Sequence, residues 1–372
     1  MRIAIVIHEF PPIGGGAATA AQQTARALVR ENHEVLVVTA GTRGVLGYEF
    51  DNGVEIHRLP SLRMRTFYPG PFELLSFCAS AALLLTRELR QFRAEGVISY
   101  FAVPAGVFAT RSARQLSIPC VVSLRGSDVP GFAQGRLDSK AGRLAYPAIR
   151  SVLRQAHRLA PNSAVLANLA RQFMPDIDGK MVIVRNGIES SALADRPASS
   201  GNEVLHLIQV GQLIKRKRVE VTLAALRLLS DVPIHLSIVG SGPLEKSLRH
   251  AALGLRVKFL GHLPRNQILA LLRQHDVFIM TSLAEGMSNA MLEAIAAGLP
   301  IITTRNGSDD VVTSAACGLV IAPDDVDALV TCISELADVK IRERLSWAGL
   351  DYANTRTWAT CAREMVELLT TR

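Results

Sequence analysis

Asp276-Val-Phe-Ile-Met-Thr281-Ser-Leu-Ala-Glu285-Gly286-Met287-Ser288-Asn289-Ala290-Met-Leu-Glu293-Ala-Ile-Ala-Ala-Gly298 changes character twice within one short stretch. Asp276–Thr281 is a continuous apolar run rich in β-formers, which reads as a strand buried on both faces of a parallel sheet. Ala290–Ala297 is made of helix formers and is closed by Gly298 at the C′ position. The stretch is therefore a strand, a loop and a helix. Glu285 lies on the loop in front of the helix mouth, Ser288 or Asn289 caps that mouth, and Glu293 lies about one turn inside.

A helix N-terminus presents unpaired N–H groups and roughly half a positive charge, which suits a phosphate. Helical side chains lean back toward the N-terminus, so Glu293 reaches over the mouth toward a ribose hydroxyl pair. Glu285, held on the loop, accepts hydrogen bonds from a sugar. Two carboxylates beside an anion seat repel a bare diphosphate, so they must meet hydroxyl-rich groups, and a nucleotide-sugar has both. An ordinary helix with acidic residues near its positive end satisfies the same pattern.

The two glutamates, with Gly286, Asn289 and Leu292-Glu293-Ala294 between and after them, resemble the signature of the retaining GT-B glycosyltransferases of family 4. The resemblance implies an α/β fold of the GT-B class, with two facing Rossmann-like domains and a cleft between them. It implies a donor held mostly by the second domain and an acceptor held mostly by the first. It also implies transfer of a hexosyl unit with retention of configuration, with no separate general base, no metal and no cofactor beyond the nucleotide-sugar itself.

Composition agrees with a chain of that class. At 372 residues it exceeds what one hydrophobic core usually serves, so two domains are expected. Its 49% hydrophobic and 20% charged residues make an ordinary soluble α/β composition. Five cysteines (78, 120, 317, 332, 361) are odd in number and form no close pairs, which points to reduced thiols rather than disulfides or a zinc site. Met1-Arg2 runs straight into the apolar Ile3–Ile7, too short for a signal peptide, and Leu74–Leu85 is shorter than the ~18 residues of a membrane span. A cytoplasmic protein, peripheral at the inner face of a membrane, is expected.

The net charge of +8 is concentrated in the first half, where residues 1–185 hold 22 Lys and Arg against 13 Asp and Glu. A contact with an anionic membrane, a phosphate-bearing acceptor, or a solvated arginine surface would each account for it. Nucleic acid is set aside, because the chain has no aromatic-interleaved basic strand, zinc knuckle or helix-turn-helix signal.

Along the chain, short apolar runs alternate with helical segments, as parallel sheets covered by helices require. Strands are expected at Ile3–Ile7, Glu34–Thr39, Val54–Leu59, Val97–Phe101, Pro119–Leu124, Arg158–Asn162 and Met181–Val184. The first is followed by Gly14-Gly15-Gly16 and a helix; the resemblance puts the Gly15–Gly16 backbone against the donor phosphates. Phe72–Phe92 reads as a long helix carrying Arg87, Arg90 and Arg93 at its end. Arg125-Gly-Ser-Asp128 stands where the family has His-Gly-x-Asp. A guanidinium binds phosphate or hydroxyl but shuttles no proton, so a proton relay is not carried over. Asp128 matches the pattern and is expected to orient an acceptor or Arg125; a turn aspartate is the alternative.

Arg185-Asn186-Gly187-Ile188 resembles the family's interdomain junction, and the Ser-, Ala- and Pro-rich Glu189–Asn202 reads as a linker. The domains are then 1–187 with a crossing helix at 356–372, and 188–355. Past Gly211 the family carries an arginine and then a lysine; here Gln212 takes the first place and Lys217 the second. Four cations, Lys215 to Arg218, precede a helix whose dipole they oppose, a conflict that a bound anion would resolve. Lys217 is thus the leading diphosphate ligand, with Arg216 or Arg218 supplying the charge Gln212 lacks. Leu263 falls where the family holds the nucleobase through backbone groups. Asp325-Val-Asp327 reads as a helix N-terminus rather than a metal-binding pair.

The expected function is a retaining glycosyltransferase acting from a UDP- or GDP-sugar on a saccharide or lipid-linked saccharide, in cell-envelope or exopolysaccharide synthesis. Lys217, Glu285, Arg125 and Asp128 would serve the chemistry. Gly15, Gly16, Gln212, Arg216, Leu263, Gly286, Met287, Ser288, Asn289 and Glu293 would serve the donor. A GT-B nucleotide-sugar isomerase such as a UDP-N-acetylglucosamine 2-epimerase shares fold and nucleotide but needs acid–base residues at the sugar, which Arg125 in place of histidine disfavours. A non-catalytic GT-B binding protein is the remaining alternative.

Overall fold

The computed structural model describes residues 1–42, 44–65, 69–132, 137, 139–189 and 204–371. Most of the segment read as a linker, from 190 on, lies outside the described residues. The chain forms two units, Met1–Asn186 with Trp358–Arg372, and Gly187–Thr357.

The first unit runs β1 (Arg2–Val6), α1 (Gly16–Arg30), β2 (Glu34–Thr42), β3 (Gly47–Asp51), β4 (Val54–Arg63), α2 (Pro71–Gln91), β5 (Gly96–Tyr100), α3 (Val107–Leu116), β6 (Cys120–Leu124), α4 (Tyr146–Gln155), β7 (Arg158–Pro161) and α5 (Ala164–Phe173). Its seven strands lie in the order β3-β4-β2-β1-β5-β6-β7. All neighbours are parallel except β3, which pairs antiparallel with β4. The apolar runs of β1, β5 and β6 are buried throughout or nearly so, as strands covered on both faces must be.

Two expectations fail in this unit. The strand β3 was not expected, although Asn52 (φ 49°) and Gly53 (φ 82°) form a left-handed pair between β3 and β4, the Asn-Gly hairpin signal. Met181–Val184 is not a strand; Met181 makes an isolated bridge to Leu159.

The second unit runs β8 (Leu205–Val210), α6 (Val219–Leu228), β9 (Ile234–Val239), α7 (Glu245–Ala251), β10 (Val257–Gly261), α8 (Arg265–Leu272), β11 (Val277–Met280), α9 (Asn289–Ala296), β12 (Ile301–Thr304), α10 (Asp309–Ala315), β13 (Gly318–Ile321), α11 (Val326–Glu335) and α12 (Val339–Thr355). Its sheet is wholly parallel in the order β10-β9-β8-β11-β12-β13. Counting parallel strands alone, both units share one order, third-second-first-fourth-fifth-sixth. In such sheets a crevice opens beyond the carboxyl ends where the winding reverses: beside β1 and β5 in one unit, beside β8 and β11 in the other.

The last helix, α13 (Trp358–Thr370), belongs to the first unit. Trp358, Cys361, Ala362, Met365 and Leu369 share a core with Ile3, Ile5 and the alanines of α1. The small side chains of α1 let helix and sheet approach closely. Gly96 does the same for α13, since a Cβ there would lie 3.0 Å from Leu369. All five cysteines are free.

Candidate active site

In the second unit the loop after β8 lies against the loop after β11. Thr281 Oγ1 donates to the Arg218 carbonyl at 2.9 Å, and the Leu283 N–H donates to the Arg216 carbonyl at 2.9 Å. Beneath them Thr222 donates to Gln209 at 2.9 Å and Gln209 to Thr281 at 3.2 Å, so both loops are tied to the sheet. Gly211 leaves room for the Lys217 stem, whose Cε would stand 3.2 Å from a Cβ there. Gly240 allows the neighbouring strand end to close in, because its Cβ would meet the Gly211 carbonyl at 1.9 Å.

These ties bring Lys217 Nζ and Arg216 Nη1 each to 2.7 Å from one oxygen of the buried Glu285. Arg216 also donates to the Ala284 carbonyl at 2.6 Å. Burial alone raises the Glu285 carboxyl, but the Lys217 and Arg216 cations outweigh it and hold it at about 2. At neutral pH Glu285 is therefore an ionised acceptor and not a proton donor. The conflict between four cations and the dipole of α6 is relieved by the protein's own acids. Arg218, at φ 49° before α6, pairs with Glu220 at 2.8 Å and Asp324 at 2.6 Å. A bound anion is thus not needed to explain the cluster, and Arg218 is already committed elsewhere.

Three residues past Glu285, the Ser288 hydroxyl caps α9 by accepting from the Met291 N–H at 3.3 Å. Ser308 braces this turn, accepting from the Ser288 N–H at 3.3 Å and donating to the Gly286 carbonyl at 3.1 Å. The Glu285 N–H donates to the Asn306 carbonyl at 2.6 Å. Met287 is buried in the core, Asn289 is the first residue of α9, and Leu263 is packed beside that core past β10. Gln212 lies in the turn after β8 and lines a small cavity with Lys217. Glu293 does not stand alone at the mouth, because Arg265 Nε donates to its Oε1 at 2.5 Å. Burial raises the Glu293 carboxyl above its ordinary value against the pull of Arg265. Arg265 escaped the sequence reading. Its signal resembled that at 215–218, a cation at the start of a helix. Asp325 caps α11, accepting from Ala328 at 2.9 Å.

In the first unit Gly14 (φ 100°) turns the chain into α1 so tightly that a Cβ would lie 2.6 Å from Ala18. Gly15 is the N-cap and Gly16 the first residue of α1. Glu9, a second residue that sequence reasoning passed over, lies against this turn; burial raises its carboxyl while Arg63 and the Gly15 backbone pull it down. Asp128 accepts from the backbone N–H groups of Arg125 at 3.0 Å, Gly126 at 2.9 Å and Ala102 at 2.8 Å. Both its oxygens accept from backbone N–H groups, which ties the turn carrying Arg125 to the chain end after β5.

Two family models match the chain: the glycosyl transferase 4-like domain over residues 15–187 and glycosyl transferases group 1 over residues 205–338. The chain belongs to the group 1, family 4 glycosyltransferases. A GDP-mannose-dependent alpha-mannosyltransferase of Mycobacterium tuberculosis is 27% identical to this glycosyltransferase over 378 residues, 98% of this chain and 95% of its own. Among solved structures, HepE of Anabaena in complex with UDP and glucose superimposes with a TM-score of 0.75 at 15% identity, covering 100% of both chains. WaaG, a glycosyltransferase involved in lipopolysaccharide biosynthesis, does so at 0.71 and 20% identity, again over 100% of both. The glycosyltransferase has the GT-B fold of these neighbours. Among its described residues no group of three or more His, Cys, Asp and Glu is placed to hold a metal, and no helix is long and apolar enough to cross a membrane.

Proposed function

We propose that this glycosyltransferase moves a hexosyl unit, with retention, from a nucleoside-diphosphate sugar to a saccharide or lipid-linked saccharide. The observation that carries the reading is the Lys217–Arg216–Glu285 cluster three residues before the α9 N-cap. One carboxylate facing two cations leaves a positive charge beside a helix N-terminus, the electrostatic requirement for a leaving diphosphate. Lys217 and Arg216 would stabilise it, and Glu285 would fix both cations while accepting a sugar hydroxyl. Glu293 would hold the ribose. The mannosyltransferase relative named for GDP-mannose and the HepE complex with UDP support a nucleotide-sugar donor, and WaaG supports an envelope polysaccharide as product. The test is the melting temperature with UDP, GDP and ADP and their sugars, followed by turnover in EDTA. One nucleotide should stabilise the protein selectively, and transfer should persist without added metal. Donor consumed without any acceptor would instead mark an isomerase.

An anionic membrane is the proposed surface for the lipid-linked acceptor. Phe72, Leu75, Leu83, Arg87 and Arg90 follow one exposed stripe of α2, whose opposite side buries Phe77, Ala81 and Leu85. Phe72 and Leu83 are each 80% exposed. Beside them Leu62 (69%) and Met64 (70%) are held outward, because the Leu62 N–H donates to Ser76 and the Met64 N–H to Glu73. An apolar stripe ending in arginines suits the acyl–headgroup boundary. The protein should float with phosphatidylglycerol vesicles and not with phosphatidylcholine, and Phe72→Ser with Leu83→Ser should abolish flotation. A variant that floats like wild type removes this face from the proposal.

A further inference from the structure

The carboxyl-terminal edge of the first unit's sheet holds a cation that the protein does not neutralise. Arg125, just past β6, is 9% exposed. Its Nη1 donates to Asn186 Oδ1 at 2.5 Å, and its guanidinium lies 4.2 Å from the Tyr100 ring centroid. Its Nε and Nη2 are buried and have no hydrogen-bond partner. Among the described residues no carboxylate pairs with it. Asp128, the nearest acid in sequence, spends its oxygens on backbone N–H groups. The Tyr100 phenol is no countercharge either: burial pushes it up to about 12 although Arg125 opposes the rise.

A buried charge without a counterion is costly, and buried polar atoms in native proteins nearly always have partners. The free Nε and Nη2 form one edge of the guanidinium fork, the edge that grips a planar or tetrahedral oxyanion through two N–H donors. We infer that Arg125, held by Asn186, is a binding site for an oxyanion carried by a sugar: the carboxylate of a uronic acid or a phosphate monoester. The inference rests on the glycosyltransfer reading for its substrate. It adds that one of the two saccharides is acidic, a requirement set by the unpartnered edge of the Arg125 guanidinium.

The test compares wild type with Arg125→Met in calorimetric titrations with glucuronate, glucose 6-phosphate and neutral glucose. Wild type should bind at least one acidic sugar about thirtyfold or more tightly than the variant, with glucose indifferent to the change. Without ligand, Arg125→Met should melt no lower than wild type, because an uncompensated charge is replaced by an apolar chain. Should the variant not fold, Arg125→Lys, a point charge without the fork, should bind the acidic sugar more weakly than wild type and melt normally. Equal affinity in wild type and variant, or no affinity of wild type for either acidic sugar, overturns the inference. So does a variant that melts far lower, which would make Arg125 a structural residue. UDP-glucuronate against UDP-glucose, and glucose 6-phosphate in the presence of UDP, assign the acid to donor or acceptor. Nucleotide-induced melting shifts, measured on both proteins, report separately on the glycosyltransfer reading.

Discussion

Lys217→Ala should lower turnover at saturating donor by about a hundred- to a thousandfold, the loss of one preorganised charge contact worth about 3–4 kcal/mol in the transition state. The donor KM should change far less, because the diphosphate gains most of its charge as the glycosidic bond breaks. Arg216 remains in the variant, and with it a link from Glu285 to the basic turn, so the loop should keep its place. The melting temperature checks this. The Glu285 carboxyl, held at about 2 chiefly by Lys217 with help from Arg216, should then titrate closer to its ordinary value of 4.5, and the acid limb of the pH–rate profile should move up with it. A single-turnover measurement at saturating donor decides the matter. Wild-type turnover in Lys217→Ala would confine the lysine to binding, and the leaving-group role would pass to Arg216 or be lost.

How far this site was legible in the chain follows from the range over which each signal acts. The strand–loop–helix at 276–298 is local, and its cap and terminating glycine obey rules that need no tertiary contact; β11, α9 and Gly298 (φ 81°) stand where those rules put them. Lys217 was legible as a cation on the wrong end of a helix. What the rule could not supply was its partner, because Glu285 lies 68 residues away and is brought in by sheet order alone. Arg265 and Glu9 were missed for the same reason: each becomes informative only when folding sets it against Glu293 or the glycine turn before α1. Asp128 shows the converse. Its motif was visible, but only the three backbone donors around it reveal that the side chain builds the loop. The hairpin strand β3 was lost to the opposite error, a parallel alternation read too evenly across an Asn-Gly turn.

Glu285→Gln should destabilise the second unit more than any other conservative change at the site. The amide keeps the shape of the carboxylate but leaves Lys217 and Arg216 facing each other without the charge that holds them together. Breaking such a buried pair typically costs about 3–5 kcal/mol. The pH dependence gives an independent measure. A carboxyl ordinarily near 4.5 but held at about 2 in the fold contributes stability that is complete above about pH 4.5 and is lost as pH falls toward 2. The difference corresponds to about 3 kcal/mol, of the same order as the mutational figure. Wild type should therefore lose stability on acidification between those limits by more than Glu285→Gln, while near neutrality the variant should be the less stable of the two. Denaturant unfolding of both proteins at pH 3 and pH 7 reads the difference directly. If the gap between them were the same at both pH values, the Glu285 carboxylate would not be the group holding the two cations. The diphosphate seat would then lack the fixed geometry that makes it a site for leaving-group stabilisation.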